Sequence, residues 1–222
     1  MRKSPGITLT LLMSLMLCLS GIARAEDAPP METYDGLVPV KDPKVQLAYV
    51  NPDADFTVFK RVAILEPFVS FRSNWQRDQN RTRARNISTR DMERMKQDVA
   101  TLFERVFTER LEAAGYEVVD VKGDDVLLLR PAIIDLDVTA PDTRAPGRSR
   151  TFTASTGAAT LFMELFDSVS GDILGRAADR QSIRNGAGHL SWSNSVTNRA
   201  DAQRMFGRWA DRLVSFLDSH YK

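Results

Sequence analysis

The stretch STRDMERMKQDVATLFERVFTERLEAAG, residues 88–115, decides how the rest of the chain is read. Met92, Met95, Val99, Leu102, Phe103, Val106, Phe107 and Leu111 recur at three- and four-residue spacing, which sets them on one face of a helix. Ser88 stands at the N-cap with Asp91 three residues on, a shortened capping box in which Asp replaces the usual Glu or Gln. Gly115 closes the helix, since glycine takes the left-handed cap conformation without a Cβ penalty. A helix this apolar on one side needs a sheet to cover it. The flanking segments are expected to supply that sheet.

C-terminal to the helix, residues 116–121 read as a strand, 122–125 as a turn and 126–138 as a long strand. Arg130 and Pro131 interrupt the long strand, so a bulge or an edge position is expected there. Beyond the break, Ile134, Leu136 and Val138 are expected on one face, with Asp135 and Asp137 on the other. Two carboxylates about 7 Å apart on one strand face either bind a cation, or work as acid and base, or form the wet side of a half-buried strand. Residues 139–151 hold Pro141, Pro146 and Gly147 beside Arg144, Arg148 and Arg150 and read as a loop. Ala154 to Arg184 reads as a β-hairpin, its first strand central in the sheet, with Gly171 placed for positive φ in the turn. A loop with His189 and Trp192 follows. A second helix then runs from about Asn198 to His220, with the stripe Met205, Phe206, Trp209, Leu213, Phe216 and Leu217.

N-terminal to the quoted stretch, Phe59 to Phe71 reads as a strand in which Pro67 implies an edge or a bend. Gln46 to Val50 reads as a short strand ended by Asn51-Pro52. Residues 26–44 form an extended lead-in that Tyr34, Leu37 and Val38 dock onto the domain of residues 45–222. From Arg72 to Arg94, Arg72, Arg77, Arg81, Arg83, Arg85, Arg90 and Arg94 stand against three acids, Asp78, Asp91 and Glu93. One reading is a binding surface for an anionic lipid surface or an acidic envelope protein, centred on Arg77, Arg81, Arg83 and Arg85. The other is a solvated loop leading into the helix.

Residues 1–25 are expected to be a secretory signal. Arg2 and Lys3 precede the charge-free apolar run Ile7 to Ile22, and Ala23-Arg24-Ala25 offers a small-x-small cleavage pattern. The run is short for a membrane span. Cleavage after Ala25 removes three basic residues and no acidic one, leaving 27 Lys and Arg against 29 Asp and Glu, a formal charge of −2. That balance argues against a general nucleic-acid binder. The only cysteine, Cys18, leaves with the signal, which excludes disulfides and thiolate metal sites from the remainder. His189 and His220 are not spaced as a ligand pair, and no nucleophile elbow, P-loop or dinucleotide fingerprint is present. No catalytic residue, metal site or cofactor is therefore expected.

The segments Tyr34-Asp35-Gly36-Leu37, Ala48-Tyr49-Val50-Asn51-Pro52, Phe59-Lys60-Arg61-Val62, Glu164-Leu165-Phe166-Asp167-Ser168 with Gly171, and Trp209-Ala210 resemble domain of unknown function family 3313. So does the run from Ala114-Gly115-Tyr116 to Leu128 and Arg130. The resemblance implies a bacterial envelope protein, in a family whose members are often classed as lipoproteins, and it supplies no functional residues. Leu17 precedes Cys18 where a lipoprotein signal has a small residue, so a soluble periplasmic product is expected in preference to an outer-membrane lipoprotein.

The chain is thus expected to be α+β, a mixed or antiparallel sheet of about five to six strands packed by two amphipathic helices. The leading functional expectation is a non-enzymatic binding or accessory module of the periplasm. Two alternatives stand beside it: an envelope hydrolase using Asp135 and Asp137 or His189, and a structural subunit that oligomerises through a sheet edge.

Overall fold

A computed structural model describes residues 33–41, 44–81, 86–138, 152–153, 155–184, 191–192 and 195–220. Its strands are β1 (Val38–Pro39), β2 (Leu47–Val50), β3 (Arg61–Ile64), β4 (Phe68–Phe71), β5 (Glu117–Val119), β6 (Val126–Val138), β7 (Phe152–Thr153), β8 (Ser155–Asp167), β9 (Ile173–Arg184) and β10 (Ser191–Trp192). The helices are α1 (Trp75–Asn80), α2 (Thr89–Ala113) and α3 (Ser195–Asp218). The main sheet has eight strands in the order β1-β2-β9-β8-β6-β3-β5, with β4 also paired to β6, while β7 and β10 form a separate two-stranded ribbon. The α+β class and the mixed sheet match the expectation. Strands and helices both outnumber it.

The expected single strand over Phe59–Phe71 is two strands, because Leu65, Glu66 and Pro67 break it. Both halves then lie parallel to β6, β3 pairing Ile64 with Leu129 and β4 pairing Phe68 with Ala132. This break explains why Pro131 sits inside a strand. The Leu65 N–H donates to the Leu129 carbonyl (2.9 Å), so backbone alternation turns the Pro131 nitrogen to the same side, where the gap between β3 and β4 asks for no donor. The expected bulge or edge at Arg130–Pro131 is therefore absent: both residues pair with β8, and β6 is interior. The irregularity comes later, where Asp135 and Leu136 face Ala159 and Asp135 takes φ 51°. That extra residue reverses the parity of the strand. Ile133 and Leu136 are buried, and Ile134 does not share the face of Leu136 as expected.

α2 follows its sequence pattern closely. Ser88 Oγ accepts from the Asp91 N–H (3.2 Å), and the Asp91 carboxylate accepts from the Ser88 N–H (3.0 Å), completing the capping box. At the other end Gly115 has φ 94°, its N–H donates to the Glu112 carbonyl, and the Tyr116 N–H donates to the Leu111 carbonyl, both at 3.0 Å. This is the Schellman pattern, with buried Tyr116 and Leu111 as its apolar pair. Phe103, Val106, Phe107 and Leu111 enter the main core, whereas Met92 and Met95 pack on Trp75 and Ile87.

α3 packs beside α2 on one sheet face. Phe206 meets Phe103 edge-on at 5.4 Å, and Phe103 stacks on Phe107 at 4.0 Å. On the opposite face, Glu164 is buried between two arginines. Arg130 Nε donates to Glu164 Oε2 (2.7 Å), Arg176 Nε donates to Glu164 Oε1 (3.0 Å), and Arg176 Nη2 donates to Asp35 Oδ2 (2.7 Å). This ladder and fully buried Leu37 fasten the lead-in, while Tyr34, expected to help dock it, is 97% exposed.

The Ser88 N–H and hydroxyl together lower the Asp91 carboxyl from 3.8 to about 2. Because the folded value is depressed, the capping contribution is complete above 3.8 and is lost as pH falls through about 2. Urea midpoints measured across that window should fall further for the wild type than for Asp91→Asn. Parallel acid limbs would contradict the cap assignment.

Candidate functional site

Ala48, Gly175 and Ala177 stand side by side on the sheet face that α3 covers, for Ala48 pairs with Ala177 and Gly175 pairs with both Val50 and Leu165. Short side chains on two neighbouring strands leave the helix unsupported over this strip. The result is a cavity of about 340 Å³, near the lower end of the roughly 300–1,000 Å³ that small-molecule sites occupy. Its floor carries Leu161, Met163 and Leu165 of β8, and Phe107 of α2 lies at its back. Trp209, Leu213 and Phe216 of α3 form its roof. The rim holds Lys44, Arg212, Ser215 and Ser219, so a mostly apolar interior opens onto a polar edge with two cations. Arg176 also borders the cavity, but its guanidinium is committed to Asp35 and Glu164 on the opposite face.

Among the described residues one carboxylate stands in this wall, and it has four donors. Asp179 of β9 is buried and accepts from the Trp209 indole N–H (2.8 Å), the Gln181 amide (2.9 Å) and the Gln46 backbone N–H (3.3 Å). Arg212 makes an ion pair with the same carboxylate. Two donors come from α3, one from β9 and one from the segment entering β2. Asp179 therefore pins the helix to β9 beside the cavity. A buried charge is tolerated only when its lone pairs are filled in this way.

The arginine segment is partly folded and partly neutralised. Residues 75–80 form a helix where a loop was one of the two readings, because Trp75 is buried, stacks on Phe71 at 4.1 Å and donates its indole N–H to the Val138 carbonyl (2.8 Å). Arg72 bridges Asp78 (2.8 Å) and Asp137 (3.0 Å), and these two bonds, Asp78 first, hold its guanidinium above its ordinary value. Arg94 pairs with Asp91. Arg77 reaches Asp78 at 3.5 Å but stays 69% exposed, and Arg81 is exposed at the end of α1. Arg83 and Arg85 lie outside the described residues, as do the loop of residues 139–151 and His189.

Of the two carboxylates on β6, Asp137 is bonded to Arg72 and Asp135 is exposed at the bulge. His220 has its ring against Phe56 and Phe216 and its Nδ1 at 2.8 Å from the Phe216 carbonyl. Among the described residues no group of His, Cys, Asp and Glu is arranged to hold a metal ion. None of their helices is long and apolar enough to cross a membrane.

A family model described as Protein of unknown function (DUF3313) matches residues 26–213. The chain belongs to that family. The DUF3313 match spans every element that builds the cavity wall except the last turns of α3. No curated protein matches the chain. Similar solved structures include protein XCC0632 from Xanthomonas campestris, at 12% identity and TM-score 0.40, covering 78% of this chain and 91% of that one. The PelC dodecamer from Paraburkholderia phytofirmans has 12% identity and TM-score 0.36, with coverage of 70% and 89%. A minor lipoprotein from Acinetobacter baumannii has 10% identity and TM-score 0.31, with coverage of 71% and 91%. At these scores no property of those proteins transfers to this DUF3313 chain.

The sequence reading missed the cavity. Its signal is the run Gly175-Arg176-Ala177-Ala178-Asp179, which is too small and too polar for a strand facing an aromatic helix stripe. Replacing Asp179 by Asn should lower unfolding free energy by about 1–3 kcal/mol, since Arg212 loses its carboxylate and one Trp209-facing acceptor is weakened. Urea denaturation measures this; a variant as stable as the wild type would show that α3 is not anchored there.

Proposed function

We propose that this DUF3313 protein is exported to the bacterial envelope and acts there as a non-enzymatic binding module, one α+β domain that holds a small apolar molecule beneath α3. The observation that carries this reading is the cavity, roofed by Trp209, Leu213 and Phe216 over a floor that the small residues Ala48, Gly175 and Ala177 keep open. Apolar surface left uncovered beneath a helix forgoes the stabilisation that its burial would give. Retaining it against that loss gives the apolar lining a use. The charge-free run Ile7–Ile22 behind a basic start supports the exported setting.

A second reading keeps the Arg77, Arg81, Arg83 and Arg85 face as a docking surface for an anionic partner, favoured by the exposure of Arg77 and Arg81 after α1 has folded.

One titration separates the two. A neutral apolar fluorophore, N-phenyl-1-naphthylamine, should bind the wild type with enhanced emission, and Ala177→Leu, which fills the cavity from its floor, should weaken binding about tenfold or more while the circular dichroism stays native. Arg77→Glu/Arg81→Glu should leave the fluorophore curve unchanged under the cavity reading. Equal binding by wild type and Ala177→Leu would remove the cavity as the site.

A further inference from the structure

Resting on the cavity reading, we infer that the ligand is a single-chain anionic amphiphile, its alkyl chain in the cavity and its carboxylate or phosphate head at the rim between Lys44 and Arg212. Three observations converge on this class. The first is size and lining: about 340 Å³ of mostly apolar space takes one alkyl chain, not the paired chains of a bilayer lipid. The second is the sign of the rim. Lys44 is exposed, Arg212 is 34% exposed, and among the described residues Lys44 pairs with no acid and Asp179 is the one acid lining the cavity.

The third observation is that Asp179 engages one nitrogen of Arg212. The carboxylate also accepts from Trp209, Gln181 and the Gln46 N–H, so the Nη1 contact pairs its charge without the rest of the guanidinium. Arg212 holds Asp179 through Nη1 alone, and its Nε and Nη2 make no hydrogen bond among the described residues. Those two nitrogens have the fork geometry that meets a carboxylate or phosphate with two parallel bonds. A head group seated there keeps its charge next to water while the chain is desolvated beneath α3. A neutral head accepts at most a weaker, single hydrogen bond at this rim, and a cationic one meets Lys44 and Arg212 with repulsion.

The test is calorimetric titration of the full chain with dodecanoate, dodecanol and dodecyltrimethylammonium, each at concentrations where it is monomeric in solution. Dodecanoate should bind about tenfold or more tightly than dodecanol. Affinity should also rise about three- to fourfold for each methylene added from octanoate to dodecanoate. Arg212→Gln should erase the preference for dodecanoate over dodecanol, read as the ratio of the two affinities in the same variant. Lys44→Gln, on the exposed rim, should reduce the preference in part. If dodecanol matches dodecanoate in the wild type, the anionic head is wrong and the apolar cavity stands. If none of the three binds and N-phenyl-1-naphthylamine does not either, the cavity reading itself falls. Dodecyl phosphate binding more tightly than dodecanoate would keep the class and assign the head to phosphate. Binding of dodecyltrimethylammonium equal to dodecanoate would overturn the charge assignment at the rim.

Discussion

A carboxylate buried on the core face of a sheet is the constraint around which this molecule settles. Asp179 lies between β9 and α3, where an unpaired charge would be costly, and it takes donors from Trp209, Gln181, Arg212 and the backbone of Gln46. Those bonds fix the height of α3 above the sheet at one point and bring in the chain before β2. From there the helix is held by aromatic contacts at its middle and its end. Phe206 packs on Phe103 at mid-helix, and Phe216 meets Phe56 at 5.0 Å near its finish. Beside Leu161, Met163 and Leu165 of β8, the strands β2 and β9 offer the short side chains of Ala48, Gly175 and Ala177. The helix spans that strip as a beam, and the cavity is the space beneath it.

The opposite sheet face follows a different logic. Glu164 is buried between Arg130 and Arg176, and Arg176 passes the chain of charge on to Asp35. This ladder fastens the lead-in, and β1 extends the sheet beyond β2. The two faces thus divide the work. One is closed by ion pairs and gives β2 and β9 a rigid back, while the other stays open at its rim. Gly175 shows how tight the arrangement is on the strand itself: a Cβ there would stand 3.3 Å from the Tyr49 carbonyl oxygen and 3.6 Å from Leu165.

Local signals in the sequence carried most of the elements. Ser88, Asp91 and Gly115 bounded α2 because caps depend on residues within one turn, and Gly171 marked the hairpin turn, where it takes φ 77°. Long-range facts did not show. Pro131 read as a break because nothing local reveals that β3 ends and β4 begins opposite it. Asp135 read as an alternating strand residue because a bulge is a mismatch with a partner strand, and the partner is set by the fold. Trp75 read as part of a charged loop because its partner, the Val138 carbonyl, lies 63 residues away. The small-residue run from Gly175 to Asp179 could not be read as a cavity for the same reason. Alanine and glycine in β2 and β9 become a site only when two strands set them side by side under α3.

The most direct measurement is a crystal structure of the protein purified from cell envelopes without added detergent, read at the strip beneath α3. Elongated density running from beside Phe107 toward Lys44 and Arg212, over Ala48 and Ala177, is the expected result. A strip closed by Trp209 and Phe216 turned down onto those alanines, with no space between helix and sheet, would contradict the claim that Asp179 holds α3 above an open cavity.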